Sequence, residues 1–162
     1  MSQATDLLNN LTDEEILAYA ASPETEEHIV INADRTITVP ESLRRIAVQF
    51  DHNVETVTFD GPRYWDNHDL STMAININYE LPNGVRGSYE VENKTVDSKD
   101  SSMMHFTWRI SNAITPAAGA IKFLVCIRAK DEDGNEILHW NSEINKDMYV
   151  SAGMWAPELS TV

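Results

Sequence analysis

The chain has 162 residues, 42% of them apolar, with four Trp and 26 acidic against 12 basic side chains, for a net charge of -14. That length and composition suit one globular domain with a real core and exclude a disordered chain. The charge disfavours nucleic acid and anionic membrane surfaces as partners, because both need clustered Lys and Arg.

The opening Met1-Ser2-Gln3-Ala4-Thr5-Asp6 has neither the basic nor the apolar region of a secretory signal. No apolar run approaches the roughly 18 residues a spanning helix needs, so membrane insertion is not expected. Thr12 is placed as a helix N-cap, with Glu15 three residues on as in a capping box and Leu11 and Ile16 as a hydrophobic staple. Ser22-Pro23 ends the segment. A helix is predicted over 13–21, on an arm of residues 1–23. It is too short to persist alone, so Leu11, Ile16, Leu17 and Tyr19 are the candidate assembly residues. Glu24–Glu27 reads as a solvated connector.

From His28 onward the pattern is β, and a domain is expected over 24–153 with an irregular tail over 154–162. His28–Asn32 and Arg35–Val39 are short strand-like runs, closed by Pro40. Ile46, Val48 and Phe50 alternate with polar or small residues, as do Val57 and Phe59 up to Gly61-Pro62. Tyr64–Thr72 reads as a long polar and aromatic loop. Met73–Glu80 is the clearest strand, since every second residue is large and apolar, and a strand turns successive side chains to opposite faces. Pro82-Asn83-Gly84 is a turn signal, a returning strand is expected over about residues 86–92, and Asn93–Ser102 reads as a loop. Met104–Ile110 alternates again. Ile121, Phe123, Val125 and Ile127 share one face, and Leu124 and Cys126 the other, which predicts a central strand covered on both sides. Asp133-Gly134 heads a hairpin, with Leu138, Trp140 and Ile144 on the returning strand. About eight to ten short strands at such spacing predict a mainly β protein, an Ig-like antiparallel β-sandwich or a small barrel.

Chemical motifs are sparse. Cys126 is the single cysteine, so no intramolecular disulfide is possible, which fits a reducing cytosol. Its apolar neighbours predict an inert thiol. None of the five histidines, His28, His52, His68, His105 and His139, shows the short paired spacing of a zinc site, and His105 and His139 read as wet-face or edge residues. Asp66-Asn67-His68-Asp69 could hold a divalent ion but reads better as an Asx-rich turn. Asp131–Glu136 lacks the ligand order of a calcium loop. No metal or cofactor is expected. No Gly-x-Ser-x-Gly elbow and no phosphate-binding glycine loop occurs, so an enzyme is not expected. Trp108 and Trp140 fall on inward faces. Tyr64 and Trp65, beside Asp66 and His68, are the candidate ligand contacts, able to stack on a sugar or to fold back over one end of the sandwich.

Two segments, Ile46–Asp60 and Pro62–Ser71, together with Phe123-Leu124-Val125-Cys126 and His139-Trp140-Asn141-Ser142, resemble a family of small bacteriophage structural proteins. The similarity extends to the Ig-like amino-terminal domain of phage baseplate upper proteins and covers roughly residues 24–150. It implies a non-enzymatic virion protein of the tail, baseplate, neck or head fibre. Other virion proteins would be its partners, in a homo-oligomer or in multiple copies, and it would reside in the host cytoplasm before assembly. The long carboxy-terminal stalk and receptor-binding parts of the baseplate proteins have no counterpart in this chain. The alternative is a carbohydrate-binding module that touches host cell-wall glycans through Tyr64, Trp65, Asp66 and His68.

Overall fold

Alternation decides which residues meet. The computed structural model describes residues 27–154, so the arm, its helix over 13–21, its assembly residues Leu11, Ile16, Leu17 and Tyr19, and nearly all of the tail lie outside the described residues. Within them the protein is mainly β. The strands are β1 (Ile29–Ile31), β2 (Ile37–Thr38), β3 (Arg45–Val48), β4 (Thr56–Pro62), β5 (Tyr64–Trp65), β6 (His68–Asp69), β7 (Ala74–Glu80), β8 (Arg86–Glu90), β9 (Lys94–Val96), β10 (Met103–Arg109), β11 (Gly119–Lys130), β12 (Glu136–Asn141) and β13 (Asn145–Ser151). Sheet A runs β2-β1-β4-β10-β9, sheet B runs β3-β13-β11-β7-β8 with β12 also on β11, and β5 and β6 form a separate hairpin.

The two sheets face each other in a sandwich-like arrangement. Ile29, Phe59, Phe106 and Trp108 of sheet A and Ile75, Ile77, Phe123, Val125 and Ile127 of sheet B are all at most 1% exposed. Phe59 and Phe106 stack as a cross-strand pair with centroids 5.0 Å apart. From sheet B, Phe123 reaches Phe59 edge-on at 6.2 Å and Trp108 at 5.7 Å. Tyr79 lies against Trp108 at 6.1 Å. Gly87, opposite Tyr79 on β8, leaves room for that ring, and a Cβ there would collide with it.

The long strand β11 is central, as its alternation predicts. On one side it pairs with β7 over Lys122–Arg128. Its other side is shared: β12 takes the carboxy-terminal half and β13 the amino-terminal half. At the changeover Ser142 supplies both partners of Val125. Its N–H donates to the Val125 carbonyl at 2.8 Å, and its Oγ accepts the Val125 N–H at 2.8 Å. One buried side chain thus completes a ladder that two strands leave open.

Several sequence expectations are amended. The sheets are not purely antiparallel, because β1 pairs with β4 and β3 with β13 in parallel. Phe50 is 51% exposed, not inward, because β3 ends at Val48 and Phe50 sits in the next turn at φ 75°. The Val57–Phe59 strand continues through Gly61-Pro62. The expected loops over 64–72 and 93–102 contain the β5–β6 hairpin and β9. Ile144 lies between β12 and β13, exposed, not on the returning strand.

Trp108 is fully buried and Trp140 is 3% exposed, as alternation predicts, while Trp65 is half-buried. Trp108→Ala should destabilise the fold by about 3–5 kcal/mol in chemical denaturation, since it empties the contact between the sheets. Ser142→Ala strips a buried N–H of its partner and should cost about 1–3 kcal/mol. Cys126 is buried, and burial raises its thiol pKa. Native protein should therefore resist thiol reagents that label the denatured chain rapidly.

Candidate functional site

The alternation that turns Ile29, Phe59 and Phe106 into the core turns His28, Asp60 and His105 outward. The register brings the three together. Ile29 is level with Phe59 in the parallel β1–β4 pair, and His105 is opposite Asp60 in the antiparallel β4–β10 pair. Asp60 is therefore the middle member of a row across three adjacent strands. Its Oδ1 lies 2.7 Å from His28 Nδ1 and 2.6 Å from His105 Nδ1. The two rings meet edge to face at 6.1 Å. His105 Nε2 lies 2.6 Å from Oδ1 of Asp97, just beyond β9. The other Asp97 oxygen accepts the N–H groups of Lys99 and Asp100 at 2.9 and 2.8 Å. This local turn fixes the carboxylate that fixes the imidazole.

Protonation follows from the partners. Carboxylates only accept, so carboxylates at both ring nitrogens of His105 favour its doubly protonated form. Burial opposes that charge, but the hydrogen bonds to Asp97 and Asp60 outweigh it and the His105 pKa is raised. The hydrogen bond from His105, aided by the N–H groups of Asp100 and Lys99, holds the Asp97 carboxyl at about 2. All four side chains are partly buried, with His105 23% and Asp60 18% exposed, so solvent reaches the cluster without flooding it. Among the described residues, His28, Asp60 and His105 are the group whose ligand atoms, all within 4.8 Å of one another, could hold one metal ion. His105 is on the wet face, as alternation predicts. Local spacing missed the cluster because its members lie 32 and 45 residues apart in the chain.

The predicted ligand contacts Tyr64, Trp65, Asp66 and His68 fall in the β5–β6 hairpin. Asp66 and Asn67 both have positive φ, 47° and 65°, the requirement of a two-residue type I′ turn. Tyr64 is 49% exposed, with the Arg63 guanidinium 4.9 Å from its ring centroid. Trp65 turns inward, edge-on to Trp140 at 5.7 Å, with Arg35 over it at 5.2 Å. Trp65 thus packs onto the core, in line with the folding back weighed from the sequence. Asp66 is exposed and His68 half-buried. Arg63 Nε and Nη2 donate to both oxygens of Asp69 at 3.2 and 3.1 Å, and Ser71 donates to it from N and Oγ. His139 is exposed and pairs with Glu136 at 3.1 Å.

No family model, curated protein or solved structure matches the chain.

The hydrogen bond from Arg63, then that from Ser71, lowers the Asp69 pKa. A folded-state pKa below the unfolded one stabilises the fold at every pH above the unfolded value, and this is lost as pH falls through the folded value. Asp69→Asn should therefore melt below wild type at neutral pH, and the gap should close in acid. Thermal melts across a pH series check this; a gap that persists in strong acid refutes it.

Proposed function

We propose that the chain is a non-enzymatic structural protein of a bacteriophage virion, an assembly module of the tail, baseplate, neck or head fibre, present in several copies. An Ig-like sandwich is its rigid body, and residues 1–23 are its attachment arm. The resemblance of Ile46–Asp60 and Pro62–Ser71 to phage structural proteins is the sequence support.

The structural observation that carries the reading is the outer side of sheet B. Ile137 and Tyr149 point away from the core along β12 and β13 and are 51% and 43% exposed. Ile144 is 59% exposed and, with Leu124, Lys122 and Arg86, borders an open depression of about 260 Å³. These side chains add little to the fold where they stand. Covering them with a neighbouring subunit gains about 25 cal/mol per Å² of apolar surface. The carbohydrate-binding alternative has less support, because a guanidinium already lies over the rings of Tyr64 and Trp65.

Mass spectrometry of purified particles should find the chain in several copies, and its absence from particles overturns the reading. Tyr149→Glu combined with Ile144→Asp should block assembly while shifting stability by no more than about 1 kcal/mol, because both positions are exposed. Deletion of residues 1–23 should likewise leave the melting temperature in place and abolish attachment; a truncated chain that unfolds assigns the arm to the intramolecular core instead.

A further inference from the structure

We propose that His28, Asp60 and His105 form a binding site for a first-row divalent transition-metal ion, zinc above all, and that Asp97 is the positioning residue behind His105. The donor set chooses the ion class. Two imidazole nitrogens and one carboxylate oxygen suit zinc and its neighbours, whereas calcium and magnesium take shells of oxygen alone. The convergence is already built. Both Nδ1 atoms lie within 2.7 Å of one Asp60 oxygen. Three ligands at zinc bond lengths sit about 3.3 Å apart in a tetrahedral shell, so the two contacts with Asp60 need to open by about 0.6–0.7 Å.

Asp97 is the observation that sets this group apart from a chance surface cluster. Metal-bound histidines characteristically donate their second ring N–H to a carboxylate, which fixes the tautomer and the ring orientation. His105 does this through Nε2 at 2.6 Å, and Asp97 is held by two backbone N–H groups. With Nε2–H anchored, His105 can give up only its Nδ1 proton, and that frees the lone pair aimed at Asp60. His28 binds through the same atom by carrying its proton on Nε2. The ion would thus lie where both rings already face Asp60, with Asp97 still behind His105.

The site also has a mechanical consequence. Its ligands come from the residue just before β1, from β4 and from β10. The ion would cross-link three strands, one of them the three-residue β1. Stabilisation by a ligand that binds only the folded state grows with its concentration over Kd.

Isothermal titration of the full chain with zinc chloride at neutral pH is the test, with magnesium and calcium as controls and Co2+ absorption as a reporter of coordination. One zinc per chain should bind, with a rise in melting temperature, and neither control ion should replace it. His28→Gln and His105→Ala should each weaken binding at least about tenfold, and Asp97→Asn, which touches no metal, about 10–100-fold. His139→Ala should leave binding unchanged. Circular dichroism verifies that each variant is folded, and the half-exposed His28 at the strand start is the variant least able to disturb the core. A wild-type chain that binds no zinc overturns the proposal. So does zinc binding that is unchanged in His28→Gln and Asp97→Asn.

Discussion

The contact of Phe123 with Phe59 and Trp108 is the constraint on which the rest of the structure depends. It joins the central strand of sheet B to β4 and β10 of sheet A, across 15 to 64 residues of chain. Such contacts must bring distant segments together before their burial repays the lost chain entropy. Once made, they fix registers. A strand that slips by one residue sends its whole inward row to solvent. The position of Phe59 in the core therefore dictates that Asp60 faces out, and the position of Phe106 dictates the same for His105. The outer polar row is the reverse side of the aromatic core, and it is as well determined.

A dry core leaves the backbone to satisfy itself, and β11 shows how narrowly that is managed. No single strand spans its second edge. The chain turns between β12 and β13 at Ser142, whose side chain and N–H close the gap at Val125. Asn145, also buried, then donates from Nδ2 to the Ile37 carbonyl of sheet A at 3.1 Å. Two buried polar residues three positions apart thus perform different tasks, one within a sheet and one between the sheets. The indole N–H groups of Trp108 and Trp140 are the counterexample, buried with no hydrogen-bond partner among the described residues. An unpaired buried N–H costs about 1–3 kcal/mol, which the apolar burial of each ring must offset.

What was legible in the sequence was whatever period two could encode. Met73–Glu80, Met104–Ile110 and Ile121–Ile127 announce their inward faces, and the structure places them there. Asp133-Gly134 announces its turn, and Gly134 adopts the positive φ the turn needs. What was not legible required knowledge of partners. Nothing in Ile29–Ile31 says that it lies parallel to β4, and β9 is three residues of a polar segment whose strand character comes only from β10 beside it. Phe50 reads as the next inward residue of β3, but its positive φ and the Asp51 carboxylate accepting the Val48 N–H show that the strand has already turned. The His28–Asp60–His105 row was hidden for the same reason: each residue is visibly outward on its own strand, but their adjacency is a property of strand order.

The outer sides of the two sheets differ in chemistry. Sheet A presents the His28, Asp60, His105 and Asp97 groups tied to one another, and sheet B presents exposed Ile137 and Tyr149 beside ion pairs of its own, Arg128–Glu136 and Lys122–Glu80 among them. In a chain of net charge -14, two copies approaching through the first surface would bring carboxylates toward carboxylates, which opposes association unless a cation lies between them. Approach through the second removes apolar surface from water and lets the acidic groups stay solvated. The physics therefore separates the two roles. On the proposed assembly reading, contact between copies would use the side of sheet B, where exposed Ile137 and Tyr149, with Ile144 in the β12–β13 turn, gain from cover. Cation capture belongs on sheet A, where Asp60 and Asp97 already concentrate negative charge around two imidazoles. Neither role needs the other, because the faces lie on opposite sides of one aromatic core.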